Sequence, residues 1–341
     1  MTKIDLITGI LGSGKTTWIH QYAEHLIQQG QRIAILENDF GAVNVDMVML
    51  QDLKCENCQL EMIAGGGDPC CHKRRFKTQL ISLGMQHFDR VIIEPSGIFD
   101  VDEFFDILHE EPLDRWYEPG SVITIVDANL EEEMSEEENY ILASEAASAG
   151  KIVFSKIGKN LKTEKEAQME EKESIAKAEE SISKVLAHIN IALKQIKCER
   201  VIEEKDCLCK NWDTLTKADF QDLMSAGYTP ENYQKLDFEQ DSVFESLYFL
   251  NKKISVENMK KAAEELFQNP DCGHIFRIKG FLNTNYKEEV MMENKMEDEM
   301  EKVDKPRITK AESWKEFNAT RKNISIQPVK EGQEVLIMIG A

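Results

Sequence analysis

The run that most limits what this chain can fold into is Gly9-Ile10-Leu11-Gly12-Ser13-Gly14-Lys15-Thr16-Thr17. Ile4 to Thr8 before it reads as a buried strand, and Trp18 to Gln29 after it reads as a helix. A G-x-x-x-x-G-K-T run between a strand and a helix is a P-loop. Its glycines let successive backbone N–H groups curl towards one anion, and the helix N-terminus adds unpaired N–H groups and partial positive charge. Gly9 to Thr17 therefore predicts a cradle for a nucleoside triphosphate. Lys15 is expected to reach the β- and γ-phosphates, and the Thr16 hydroxyl to hold Mg²⁺.

Beyond this helix the chain repeats the strand–helix rhythm of an α/β fold. Gly30 ends the helix, and Arg32 to Leu36 is a second strand running into Glu37-Asn38-Asp39-Phe40-Gly41. Ligands of doubly wound sheets bind at the carboxyl ends of strands, so Glu37 and Asp39 are candidates to hold a metal ion or orient a water. Arg90 to Ile93 is a third strand, ending in Glu94-Pro95-Ser96-Gly97. A carboxylate there matches the Walker-B position, expected to act on Mg²⁺ or its waters, with Gly97 letting a backbone segment approach the γ-phosphate. Val122 to Val126 (ending at Asp127) and Lys151 to Phe154 (ending at Ser155-Lys156-Ile157-Gly158) are the fourth and fifth. Five apolar strands with helical patterns between them predict a mainly parallel sheet covered by helices on both faces.

The eight cysteines bear on the chemistry. No secretory pattern precedes the first strand, so disulfides are not expected, and metal or redox use is the better reading. Cys55-Glu56-Asn57-Cys58 has chelate spacing, and Cys70-Cys71-His72 comes after the glycine run Gly65-Gly66-Gly67-Asp68-Pro69. Cys70 and Cys71, taken as extended chain, would point in different directions, and His72 reads as a solvated helix-start residue. A net charge of -21 disfavours nucleic acid or an anionic membrane as partner. With no apolar run long enough to span a bilayer, a cytoplasmic location is expected.

The P-loop, the Glu37 to Gly41 strand end, the cysteine-bearing glycine loop and Glu94-Pro95-Ser96-Gly97 come in the order and spacing of the CobW-like GTPases, which this chain resembles. Those are metal-trafficking relatives of the urease and hydrogenase nickel-insertion GTPases. The resemblance continues in Phe276-Arg277-Ile278-Lys279-Gly280-Phe281-Leu282 and in the closing Glu334 to Gly340, which are similar to strands of that family's C-terminal domain. It implies a Mg²⁺-dependent GTPase with a smaller α+β C-terminal domain. It implies an inner metal site near the γ-phosphate, formed here by Glu37, Cys70 and Cys71 with Asp39 in support. It also implies delivery of a transition metal to a client metalloprotein or cofactor-assembly enzyme, with a homodimer as one compatible assembly. The alternative is a nucleotide- and metal-binding sensor or adaptor with little hydrolysis. A small-molecule kinase is disfavoured, since no arginine-bearing lid is visible between Glu94 and Asp127.

Two positions depart from the family pattern. Where its C-x-C-C loop begins, this chain has Asp68, whose oxygen would make a harder site suited to Zn²⁺ or Co²⁺ rather than Cu⁺; otherwise Cys55 or Cys58 supplies the missing thiolate. In the base-reading loop, Gly158 replaces the acid that would meet the guanine edge, which costs about 1.5–3 kcal/mol of guanine preference if nothing replaces it. Lys156 is still expected to lay its stem along the base, with Ser155 beside it.

The remaining chain carries less chemistry. Lys162 to Glu173 is charged and reads as an exposed loop or helix start. From Ile175, apolar residues at Ile182, Val185, Leu186, Ile189, Leu193 and Ile196 predict a helix with one buried face. Cys198 to Ile202 reads as the last strand of a first domain, and Cys207-Leu208-Cys209 as an inert pair in a linker. The boundaries read as a P-loop domain at 1–205, a connector at 206–235 holding a short helix from Trp212 to Gly227, and a C-terminal domain at 236–341. In the last, Ser242 to Phe249 is a strand and Val256 to Asn269 a helix, and the Met residues of Glu288 to Asp304 read as packing or solvated filler rather than soft-metal ligands.

Overall fold

The computed structural model describes residues 1–38, 46–63, 69–95, 101–130, 134–157, 167–235, 245–273, 275–284, 314–321, 324–329, 332 and 334–340. The chain divides into two compact units, Met1–Asp237 and Phe238–Ala341.

The first unit is a seven-stranded sheet in the order β3-β2-β4-β1-β5-β6-β7. Its strands are β1 (Thr2–Thr8), β2 (Ile33–Asn38), β3 (Cys58–Ile63), β4 (Arg90–Pro95), β5 (Tyr117–Asp127), β6 (Lys151–Ser155) and β7 (Cys207–Leu208). Every neighbouring pair is parallel. Helices supply the crossovers: α1 (Lys15–Gln28), α2 (Asp46–Leu50), α3 (Pro69–Gly84), α4 (Val101–Leu108), α5 (Leu113–Trp116), α6 (Glu136–Ser148), α7 (Ala167–Gln195) and α8 (Lys217–Met224). The chain winds outward from β1 to β2 and β3, then returns past β1 to β5. That reversal is where an open α/β sheet forms its ligand crevice.

Strand alternation sorts the core into layers. Ile33 and Ile35 of β2, Ile7 of β1 and Ile92 of β4 pack with Trp18, Ile19, Tyr22 and Leu26 of α1. Leu36, Leu6 and Ile93 face the opposite way, onto Phe76, Leu80 and Leu83 of α3 and Phe104 and Ile107 of α4. Beyond β5, α7 lays Ile182, Val185, Ile189, Leu193 and Ile196 onto Leu142, Ala143 and Ala146 of α6. Those α7 residues share one face at the helical period, as the sequence predicts.

One buried charge group ties the layers. Asp5, fully buried, accepts from Arg90 Nη1 at 2.6 and 2.5 Å through its two carboxylate oxygens, from Tyr22 Oη at 2.8 Å and from the Ser121 N–H at 2.8 Å. Burial and the Asp5 charge push the Tyr22 phenol up, so it stays a donor.

The structure differs from the sequence-based expectations at four points. Strands β3 and β7 are additions: β3 alternates apolar residues with Gln59 and Glu61, and β7 is two residues long, so neither stands out as an apolar run. Cys198 to Ile202 is not a strand: the Cys198 N–H donates to Leu193 O and the Ile202 N–H to Asn190 Oδ1, which dock it on α7 instead of a ladder. The last strand lies at Cys207–Leu208, so this C-x-C begins inside the sheet rather than in a linker. The stretch 206–235 packs within the first unit, with Leu208, Phe220 and Leu223 buried in the layer of α1.

The second unit is a five-stranded antiparallel sheet, β11-β10-β9-β12-β8. Its elements are β8 (Glu245–Leu250), α9 (Val256–Gln268), β9 (Ile275–Asn283), β10 (Trp314–Ala319), β11 (Ile324–Val329) and β12 (Val335–Gly340). Helix α9, capped by Ser255, sets Met259 and Ala263 on Ile278, Leu282, Phe317 and Leu336. The Phe276 and Glu334 segments are adjacent strands, β9 and β12. Glu288 to Asp304 lies outside the described residues.

Candidate nucleotide and metal site

The site is built at the carboxyl end of the parallel sheet. The P-loop leaves β1 at Gly9, whose φ of +144 and closeness to β5 exclude a side chain: a Cβ there would lie 2.4 Å from Ile125 O. The loop closes with the Ser13 N–H on Ile10 O at 3.1 Å and enters α1 through Gly14 in a left-handed conformation, φ +104. Lys15 begins the helix, three residues before the start that apolar periodicity gives. Its ammonium donates to Gly9 O at 2.6 Å, folding the side chain back across the loop. Leu11 and Gly12 are half-buried, while Thr17 is exposed on α1.

Two buried carboxylates stand beside the loop. Glu37 of β2 and Glu94 of β4 are in direct register, and both continue the alternation that faces α1. Glu94 Oε1 accepts from Thr16 Oγ1 at 3.1 Å. Glu37 and Glu94 are 3 % and 5 % exposed, and two like charges at that burial favour a cation between them. A hydroxyl with carboxylate oxygen is a hard donor set, and it fits Mg²⁺.

The third side of the crevice comes from β5 and β6. Lys156 adopts φ +58, and its ammonium donates to Asp127 Oδ2 at 2.5 Å and Gly12 O at 3.0 Å. Asn129 locks Asp127 through its N–H at 2.8 Å. Ser155, buried, donates to Val126 O at 3.4 Å. Beneath the loop, Trp212 donates its indole N–H to Phe154 O at 2.9 Å, and a Cβ at Gly14 would touch its ring at 3.4 Å. Trp212 also meets Trp18 edge-on, with ring centroids 5.1 Å apart.

A family model described as the CobW/HypB/UreG nucleotide-binding domain matches residues 3–184, more than half of the chain. The chain belongs to the CobW/HypB/UreG family. Among its relatives, the zinc chaperone YeiR of Escherichia coli is 33% identical over 159 residues, 46% of this chain and 47% of YeiR. The zinc chaperone YjiA of the same organism is 32% identical over 164 residues, 45% of this chain and 48% of YjiA. The matched stretch thus spans about half the length of each relative. The zinc-bound crystal structure of the YjiA GTPase aligns at 18% identity with a TM-score of 0.34, covering 99% of this chain and 93% of that one.

Within this CobW/HypB/UreG chain six of the eight cysteines fall in three close pairs. Cys70 and Cys71 lie in the first turn of α3, so they are helical rather than extended; their side chains and that of His72 lie outside the described residues. So do Asp39, Asp68, Gly97 and Gly158. Cys55 and Cys58 close a tight turn through two backbone hydrogen bonds of 3.3 and 3.2 Å. Cys58 is in register with Ile33, four residues before Glu37 on β2. At ~3.3 Å per residue that separates it from Glu37 by about 13 Å, which removes Cys58 as the missing thiolate of the inner site. Burial pushes its thiol up to about 12, so it remains protonated. Cys55, bonded back onto Cys58, stands at the same remote end. Cys207 donates to Glu203 O at 3.4 Å, and the neighbouring Cys207 thiol holds the Cys209 thiol below its usual range. Among the described residues no three His, Cys, Asp or Glu side chains converge to hold a metal ion.

Three groups are not evident from the sequence: Asp127 as the partner of Lys156, Trp212 under the loop, and Glu145 of α6. Asp127 carries a signal, being an acid at a strand end. Trp212 and Glu145 reach the site only through the packing of distant segments.

Proposed function

We propose that this CobW/HypB/UreG chain is a Mg²⁺-dependent GTPase that carries a transition metal, zinc or cobalt by preference, and delivers it to a client protein or cofactor pathway. The observation that carries this reading is the register pair Glu37 and Glu94, buried side by side, with Glu94 bonded to Thr16 of the P-loop. One carboxylate serves the phosphate cradle, and its neighbour lies near the end of β2 beside the end of β3, after which Cys70 and Cys71 follow in sequence. The relatives named as zinc chaperones support the metal class.

Each residue has a task in that reaction. Lys15 leaves Gly9 O for the triphosphate and neutralises charge that builds on its oxygens. Thr16 and Glu94 would hold Mg²⁺, which supplies Lewis-acid stabilisation of the phosphoryl group. Lys156, fixed by Asp127, keeps Gly12 in place and presents its stem to the base. Glu37, with Cys70 and Cys71 and with Asp39 and Asp68 nearby in sequence, is the set that takes the cargo metal. Single-turnover hydrolysis of GTP tests the catalytic half. Lys15→Ala and Thr16→Ala should each lose at least about 100-fold, the scale of a removed charge-stabilising group. Unchanged rates would remove the assignment.

A further inference from the structure

Trp212 joins the two walls of the proposed nucleotide site. Strand β7 runs parallel to β6, with Leu208 opposite Val153, so the chain leaves both strands at the same rim. A short turn then brings Trp212 back onto the sheet. The Asn211 side chain accepts from the Asp213 N–H at 3.1 Å, and the Trp212 carbonyl accepts from Gln21 Nε2 of α1 at 3.4 Å. The indole N–H donates at 2.9 Å to the carbonyl of Phe154, a fully buried residue of β6 two positions before Lys156. The other edge of the same ring faces Gly14, where a Cβ would meet Cη2 at 3.4 Å and Cζ3 at 3.8 Å, with the Ser155 Cβ also at 3.8 Å. Trp18 of α1 meets the ring edge-on and stacks in turn on Phe220, centroids 6.1 Å apart. One rigid side chain therefore spans from the entry of the P-loop into α1 to the end of β6. Packing on α1 alone needs only a ring; the N–H that reaches β6 is what ties the two walls together.

We propose that Trp212 is a positioning residue for the nucleotide, a strut that sets the gap between the phosphate cradle and the base loop. This rests on the reading that Gly9 to Thr17 takes the triphosphate and Lys156 the base. A nucleotide has a fixed reach from base to phosphates, so both ends are gripped together only when the two walls stand at the matching separation. Two ties fix that separation. The Lys156 ammonium on Gly12 O is one, but its side chain is 34% exposed and Lys156 is itself a ligand-binding group, so this tie rearranges when the base arrives. Trp212 supplies the other through a neutral N–H and a backbone carbonyl, on a ring with few rotatable bonds. The grip on the base is the same before and during phosphoryl transfer. A change in the gap therefore alters affinity and leaves the chemical step alone.

Trp212→Phe keeps a ring against Gly14 and Trp18 and removes the N–H that reaches β6. The full chain is titrated with a non-hydrolysable GTP analogue and Mg²⁺, and single-turnover hydrolysis is followed at saturating GTP. The variant should bind the analogue about tenfold more weakly, the scale of one lost hydrogen bond. It should hydrolyse bound GTP within about twofold of the wild-type rate. In a Lys156→Ala background the loss on Trp212→Phe should shrink to under about threefold, because the strut then has little left to position. Unchanged affinity, an equal loss with and without Lys156, or a rate that falls in step with affinity would each overturn the role of Trp212 while leaving nucleotide binding intact. Failure of the wild type to bind the analogue would overturn both readings. A readout that needs no variant is hydrogen exchange of the Trp212 indole N–H in the wild type. If the strut supports binding, binding supports the strut, so exchange should slow with the analogue bound; an unchanged exchange rate contradicts the proposal.

Discussion

Asp5 and Glu145 are both buried acids, and their surroundings differ. Asp5 accepts from a guanidinium, a phenol and a backbone N–H, so each lone pair direction is used. Removing it would leave Arg90 charged and unpaired in the core, and Asp5→Ala should lower unfolding stability by about 3–5 kcal/mol. Denaturant titration at pH 7 measures that, and a loss under about 1 kcal/mol would mean that the pair is not held as described. The Glu145 carboxyl, buried on α6, makes no such bond through either oxygen. The role of Asp5 is not written in the local sequence, since its side-chain and backbone partners lie 17 to 116 residues away in the chain.

At the scale of elements, β3 decides which cysteines can act together. It carries Cys58 at the end of the sheet away from the P-loop and leads, at Ile63, to the end where Glu37 and Asn38 lie. The proposed inner site should therefore ignore the C-x-x-C turn. Cys55→Ser, an exposed position, should leave metal affinity within about twofold, whereas Cys70→Ser with Cys71→Ser should weaken it by about 100-fold, as loss of direct thiolate ligands implies. Metal competition titrations under reducing conditions measure both, and full affinity in the double variant would dismiss the inner site. Long buried strands are legible because β1, β2, β4, β5 and β6 are near-continuous apolar runs ending in polar residues. The edge strands are not: β3 is half polar because one side is open, and β7 is set by where the chain after α7 docks. Lys15, Thr16 and Glu94 can be read from motif spacing, since a P-loop and a strand-end acid are local patterns. Trp212 cannot, because its contact with Gly14 is made by a segment far downstream in the chain.

At the scale of the molecule, the feature that matters is a shared rim. The P-loop, Glu37, Glu94, Asp127 and Lys156 all follow the carboxyl ends of parallel strands, and α3 starts with Cys70 and Cys71 after β3 has ended on the same side. A net charge of -21 makes the surface as a whole attractive to cations, while specificity must come from this rim. On the proposed function, one carboxylate touches Thr16 and its register partner Glu37 takes the metal, so a change at the phosphates should alter the field that metal feels. Linkage would then work both ways: if nucleotide tightens metal, metal tightens nucleotide to the same degree. The most direct test is a zinc titration of the full chain with a competing chelator, with and without a non-hydrolysable GTP analogue and Mg²⁺. A coupled site predicts an affinity tightened about 5- to 150-fold by the analogue. Identical zinc affinity in the two titrations would contradict it, leaving a passive binder of nucleotide and metal.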